Sequence, residues 1–139
     1  MSIHPETSAD ANRSLQRIRE LGAKASIAVN PDVPLARVED YFGHADMVLI
    51  MSVFPGFGGQ AFIPDIIPKL RELRALIERR KMPLLIEVDG GIKAGNIDVV
   101  VSAGAEVVVS GSGIFRTPDY KATIREMRRR AGGASRAMP

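Results

Sequence analysis

Three short stretches of the sequence carry residue types suited to holding an anion and moving a proton. The first is Gly56, Phe57, Gly58 and Gly59, directly after Pro55. Glycine accepts positive φ and lets the backbone approach a ligand with no Cβ in the way. At the carboxyl end of a parallel strand, such a loop is where α/β folds place anion and substrate contacts. A Pro-Gly tight turn explains Pro55 and Gly56 alone, but not the whole run. The second stretch is Asp89-Gly90-Gly91. Asp89 ends a β-branched run, the position where barrel enzymes keep catalytic groups. An aspartate there also caps a βα turn well, and the residue types alone leave both roles open. The third is Gly111-Ser112, which offers backbone N–H groups and one hydroxyl at the end of another strand. Ser112 also suits a helix cap, and the two roles are compatible.

The elements that must position these groups are readable from apolar periodicity. Met47-Val48-Leu49-Ile50 has no polar alternation and reads as a buried strand leading into the glycine loop. Residues 25–29, 84–88 and 106–110 read as further strands, and Ile3-His4-Pro5-Glu6 as the last piece of one more. Between them lie helical stripes. Leu15, Ile18 and Leu21 follow a cap at Ser8 or Asp10 and stop at Gly22. A short helix is expected from Val33 to about Phe42. A longer one opens at Pro68, with Leu70, Leu73, Leu76 and Ile77 inward. Asn96 caps a helix running to Ala103, and residues 119–130 form the last. Residues 1–131 are expected as one domain and 132–139 as a flexible tail. Units of strand and helix recur at roughly thirty residues, which predicts a parallel sheet with right-handed crossovers. Periodicity does not separate a barrel from an open doubly wound sheet.

Bulk properties narrow the function classes. A chain of 139 residues is ordinarily one domain. It has no cysteine, so disulfides and thiolate metal sites are excluded, and a cytoplasmic protein is expected. No apolar run reaches the length of a membrane-spanning helix, and no membrane partner is expected. The net charge is only +3. Arg125, Arg128, Arg129, Arg130 and Arg136 cluster near the end without aromatic residues between them. They read as complements to a helix dipole rather than a nucleic-acid surface.

The run from Met51 to Phe62 resembles the MTVxPGFGGQxF segment of ribulose-phosphate 3-epimerases. Val88-Asp89-Gly90-Gly91-Ile92, the run from Val109 to Phe115, and Ile3-His4-Pro5-Glu6 resemble three other segments of that family. The resemblance extends from about residue 3 to residue 130. It implies a partial (β/α)8 TIM barrel of the ribulose-phosphate-binding type, α/β in class, covering the end of strand four to helix eight. The family's first three βα units have no counterpart in the matched stretch.

The resemblance also implies an isomerase of the pentose phosphate pathway, interconverting D-ribulose 5-phosphate and D-xylulose 5-phosphate. Alternatives are an allulose-6-phosphate 3-epimerase and a non-catalytic phosphate-binding half-barrel. By resemblance, Asp89 is a catalytic acid–base group, a substrate contact and a ligand of a divalent metal: zinc, iron, manganese, cobalt or magnesium. The phosphate maps onto Gly56, Phe57, Gly58, Gly59, Gly90, Gly91, Gly111 and Ser112. A methionine matching Met51 helps line the family's barrel interior near substrate, while Met51 itself reads more readily as plain core and stands outside the catalytic set; His4 and His44 match no metal ligand. The second acid–base aspartate and two histidine ligands of the family fall in units without a counterpart. Negligible turnover is therefore expected of this chain alone. Self-association through open sheet edges is expected too, with inward positions at Ile27, Val29 or their neighbours left unpacked.

Overall fold

Strand and helix alternate along the chain in a computed structural model that describes residues 1–135. Strands β1 (Ser2–Ile3), β2 (Ser26–Val29), β3 (Met47–Met51), β4 (Leu85–Asp89) and β5 (Val107–Val109) form one parallel sheet in strict sequence order. A doubly wound sheet reverses its order at a switch point. A barrel adds each strand beside the one before it, and that is the order seen. Among the described residues, β1 and β5 each pair on one side only.

Register decides which side chains share a face. Ile27, Val48 and Ile86 lie abreast, as do Val29, Ile50 and Val88. All six are at most 1% exposed. They form the core with the apolar stripes of α1 (Ala11–Glu20), α2 (Ile66–Arg80) and α3 (Ile97–Ser102), including Leu15, Leu70, Leu73 and Val100. The helices therefore cover Ile27 and Val29, and the neighbouring Ser26 and Ala28 take the opposite face. Ala28 and Leu49 are buried yet stand outside the helix-side core. Glu87 and Asp89 share that opposite face with Met51, which pairs with Asp89 in register.

The amino ends of the strands are fastened by Asp46. Its carboxylate accepts from the Ala25 N–H at 2.8 Å, and its own N–H donates to the Ala25 carbonyl. That hydrogen bond, with Lys24 and Arg19 nearby, holds the Asp46 carboxyl below its ordinary range despite partial burial.

Several boundaries differ from the sequence expectation, each for a local reason. Asp10, not Ser8, caps α1, accepting from the Arg13 N–H at 3.0 Å. The stretch expected as one helix from Val33 forms two 3-10 helices, Leu35–Arg37 and Glu39–His44. It opens on Pro31 and Pro34 and is too short to nucleate an α-helix. Helix α2 begins two residues before Pro68. The ring costs nothing in the first turn, whose N–H groups have no intrahelical acceptor. A short helix, α4 (Ser112–Phe115), follows β5. The last helix, α5 (Tyr120–Ser135), continues past Arg130 through Gly132 and Gly133. Residues 136–139, the remainder of the expected tail, lie outside the described residues, as does Arg136. Within α5, Arg129 and Arg130 both reach Glu126 at 2.7 Å, so part of the basic cluster is internally paired. No helix among the described residues is long and apolar enough to cross a membrane.

Candidate active site

All nine expected site residues line one cleft of about 370 Å³ at the carboxyl ends of β3, β4 and β5. Gly56, Phe57, Gly58 and Gly59 form one wall. Asp89, Gly90 and Gly91 form the floor beside Met51, and Gly111 and Ser112 close the far side. Phe57 is 75% exposed, so its ring is not packed into the cleft, and its backbone is what it brings to the wall.

The loop's polarity is set by Gln60, a residue the sequence did not mark as functional. Its amide donates to the carbonyls of Phe54 at 2.7 Å and Phe57 at 2.9 Å. With those oxygens tied to Gln60, the N–H groups of Gly56, Phe57, Gly58 and Gly59 are left donating to no protein group among the described residues. Adjacent unpaired N–H groups make a concave anion-binding surface. The signal was present in principle: a glutamine closing a glycine run has just enough reach to bind carbonyls within it.

Ser52 joins this loop to the Asp89 segment. It is fully buried, and its hydroxyl lies 2.6 Å from the Gly90 carbonyl and 2.9 Å from that of Asp89. Its N–H also donates to the Asp89 carbonyl, at 2.8 Å. Buried polar groups must be hydrogen-bonded, so alternation placing Ser52 on the helix side already implied such partners. Among the cleft glycines, Gly91 needs its lack of side chain most. At φ +64, a Cβ would sit 2.4 Å from the Phe62 nitrogen. The Phe62 backbone thus rests directly on the Asp89-Gly90-Gly91 turn. Behind the turn, Asn96 donates to the Gly91 carbonyl and accepts from the Lys93 N–H, and Ser110 donates to the Ile92 carbonyl.

Burial raises the Asp89 carboxyl above its ordinary value, and the adjacent Gly90 N–H partly offsets this. Glu87 lies two residues earlier on the same face. Burial raises its carboxyl first, and the Asp89 charge adds to the effect. Two carboxylates on one half-buried strand make a site disposed to hold and release protons. Glu87 was not among the expected site residues; strict alternation from Asp89 is the signal that finds it.

Metal ligation fits less well. Among the described residues, no three His, Cys, Asp or Glu side chains gather into a metal-binding group. His4 follows β1 and its Nδ1 lies 3.4 Å from Glu6, and His44 ends a 3-10 helix before the amino end of β3. Asp89, even with Glu87, falls short of the four to eight ligands that divalent metals take. Further round the same rim, Lys69 on α2 holds the loop after β2. Its ammonium donates to the carbonyls of Asn30, Pro31 and Val33 at 2.7–3.0 Å.

Residues 1–115 match the sequence model of the Ribulose-phosphate 3 epimerase family. The chain is 47% identical over 128 residues to ribulose-phosphate 3-epimerase of Escherichia coli K12, covering 92% of this chain and 57% of that protein. It is 49% identical over 128 residues to the enzyme of the same name from Aquifex aeolicus, covering 92% and 58%. The chain thus spans somewhat over half the length of the curated relatives it matches. Among solved structures, 3-hexulose-6-phosphate synthase from Salmonella typhimurium superposes with a TM-score of 0.67 at 20% identity, over 96% of this chain and 61% of that one. Thiamine phosphate pyrophosphorylase from Pyrococcus furiosus gives 0.66 at 17%, over 96% and 59%. These two likenesses speak to the fold, a five-stranded part of a TIM-type barrel. By sequence match over most of its length, the chain belongs to the ribulose-phosphate 3-epimerase family.

Proposed function

We propose that this site serves the interconversion of D-ribulose 5-phosphate and D-xylulose 5-phosphate, with the glycine cradle holding the phosphate and Asp89 exchanging a proton beside the ketone. The reading rests on one carboxylate, Asp89, set in the same cleft as backbone N–H groups that have no other partner. Inversion beside a ketone removes a proton from one face and returns one to the other, which takes two acid–base groups. Among the described residues, Asp89 is the only carboxylate or other strongly titratable side chain lining the cleft, so it serves one face. Its raised pKa favours taking a proton and giving it back at comparable cost. A divalent metal, which the family likeness calls for with Asp89 as one ligand, would stabilise the enediolate charge. The described residues do not complete its ligand set, and no step of this proposal passes through it. The cytoplasm is the compartment we assign.

Calorimetric titration with ribulose 5-phosphate tests the cradle. Binding is expected in the native chain and is expected to be lost in Gly58→Leu, where a Cβ enters open space and the fold is undisturbed. Equal binding by the folded variant would remove the phosphate assignment. Xylulose 5-phosphate formation by this chain is expected to be negligible, because losing one positioned acid–base group costs about 10²–10⁴-fold. Turnover at a full-length relative's rate, abolished by Asp89→Asn, would overturn the one-face assignment.

A further inference from the structure

The cleft presents a charge problem. Among the described residues its lining carries no cation, and it includes the Asp89 carboxylate. A sugar phosphate brings a second, doubly negative group beside that carboxylate. Neutral N–H groups orient an anion well, but they supply no countercharge to offset like-charge repulsion.

Arg116 stands at the rim in position to do so. It caps the C-terminal end of α4, four residues after Ser112. Its base is held firmly. Thr117 donates to the Ile114 carbonyl at 2.7 Å, and the Phe115 and Tyr120 rings meet edge to face with centroids 5.5 Å apart. From there the guanidinium lies flat enough on the glycine loop that a Cβ built on Gly59 would be 3.3–3.6 Å from three of its atoms. Gly59 itself lines the cleft. Arg116 is exposed, and no carboxylate pairs with it among the described residues. A planar fork of five donors without an acceptor, resting beside unpaired N–H groups, matches the geometry of a phosphate.

We infer that Arg116 is the charge-compensating phosphate ligand of this site, closing over the ester from the α4 side while the glycine loop holds it from beneath. This rests on the phosphate assignment made above and adds to it the residue that sets preference for a dianion. Gly59 then has a second reason to lack a side chain. Its φ of +82 favours glycine, and any Cβ would press on the guanidinium that must move onto the ligand.

The test is titration calorimetry of the folded chain with inorganic phosphate and with ribulose 5-phosphate, at low and at physiological salt. Four proteins are compared: native, Arg116→Gln, Arg116→Lys and Arg125→Gln. The last removes the same unit charge from an exposed site on α5. Arg116→Gln is expected to weaken both ligands about tenfold, the scale of one charge-assisted hydrogen bond. It should also flatten the salt dependence. Arg116→Lys should recover part of the affinity, and Arg125→Gln none of the loss. Native affinity and native salt dependence in Arg116→Gln, with binding still abolished by Gly58→Leu, would overturn the role of Arg116 and leave the cradle standing. Equal losses in Arg116→Gln and Arg125→Gln would reduce it to a general field effect and overturn it as a ligand. Absence of phosphate binding by the native chain would remove both.

Discussion

The Ser52 hydroxyl and the Gly90 carbonyl are 2.6 Å apart inside the protein, and this contact couples the glycine loop to the segment that carries Asp89. Replacing Ser52 by Ala leaves the Gly90 carbonyl buried without that donor. A loss of about 1–3 kcal/mol in stability is expected, from urea unfolding. Ribulose 5-phosphate affinity should fall with it, because the two walls of the cleft lose their common tie. Unchanged stability and affinity would show that the stem is held by the backbone bonds alone.

Gln60 offers a sharper probe, because one atom changes. In Gln60→Glu a carboxylate oxygen faces the Phe54 and Phe57 carbonyls that the amide now binds. Repulsion should turn the loop and add a negative charge beside the phosphate. Phosphate affinity is expected to drop by more than about tenfold, with the loss of two hydrogen bonds as a minimum. Native-like affinity in calorimetry would mean that the N–H groups keep their direction without Gln60.

Asp89 and Glu87 predict a pH effect of defined sign. Both carboxyls are raised by burial above ordinary values of 3.8 and 4.5. The folded state therefore binds their protons more tightly than the unfolded state does. Their contribution to stability is full below those ordinary values and is lost as pH rises through the folded pKa values. Asp89→Asn and Glu87→Gln should each raise the melting temperature at pH 8, and the gain should vanish near pH 3. A gain that is equal at both pH values would point to packing rather than ionisation.

Lys69 ties three carbonyls of the loop after β2. Lys69→Met keeps the apolar stem and removes the ammonium. A cost of about 2–3 kcal/mol is expected, the range for hydrogen bonds to a charged group. Faster amide hydrogen exchange at Asn30 to Val33 should accompany it. Exchange rates identical to the native chain would mean the loop is held from elsewhere.

Open edges predict association. Leu85 and Val109 on the Asp89 face are 46% and 39% exposed, and cavities of about 680 and 850 Å³ flank β5 and β1. Light scattering behind size exclusion should show a mass that rises with concentration in the micromolar range. A constant monomer mass would show that these edges are shielded in solution.

The glycine cradle and Asp89 were legible in the sequence because their requirements are local. A glycine run after an apolar strand, and an aspartate at the end of another, fix where these groups sit, at the carboxyl ends of parallel strands. The helix-facing stripes were legible for the same reason. Gln60, Ser52 and Arg116 were not, since their roles depend on reach across turns that only the folded backbone defines. Ser52 finds its acceptors 37 and 38 residues away. The region from Val33 to about Phe42 misread as one helix because apolar spacing is nearly the same for successive 3-10 turns as for a short α-helix.

The strict order of the sheet reaches beyond the finished structure, into how the chain is made. Each strand pairs with the strand synthesised just before it, across intervals of 20 residues from Glu87 to Val107 and 38 from Met47 to Leu85. A nascent chain leaving the ribosome therefore finds the template for its next strand already exposed, with no later segment to wait for. Such sequential pairing closes each loop over a few tens of residues at most and favours vectorial growth of the sheet.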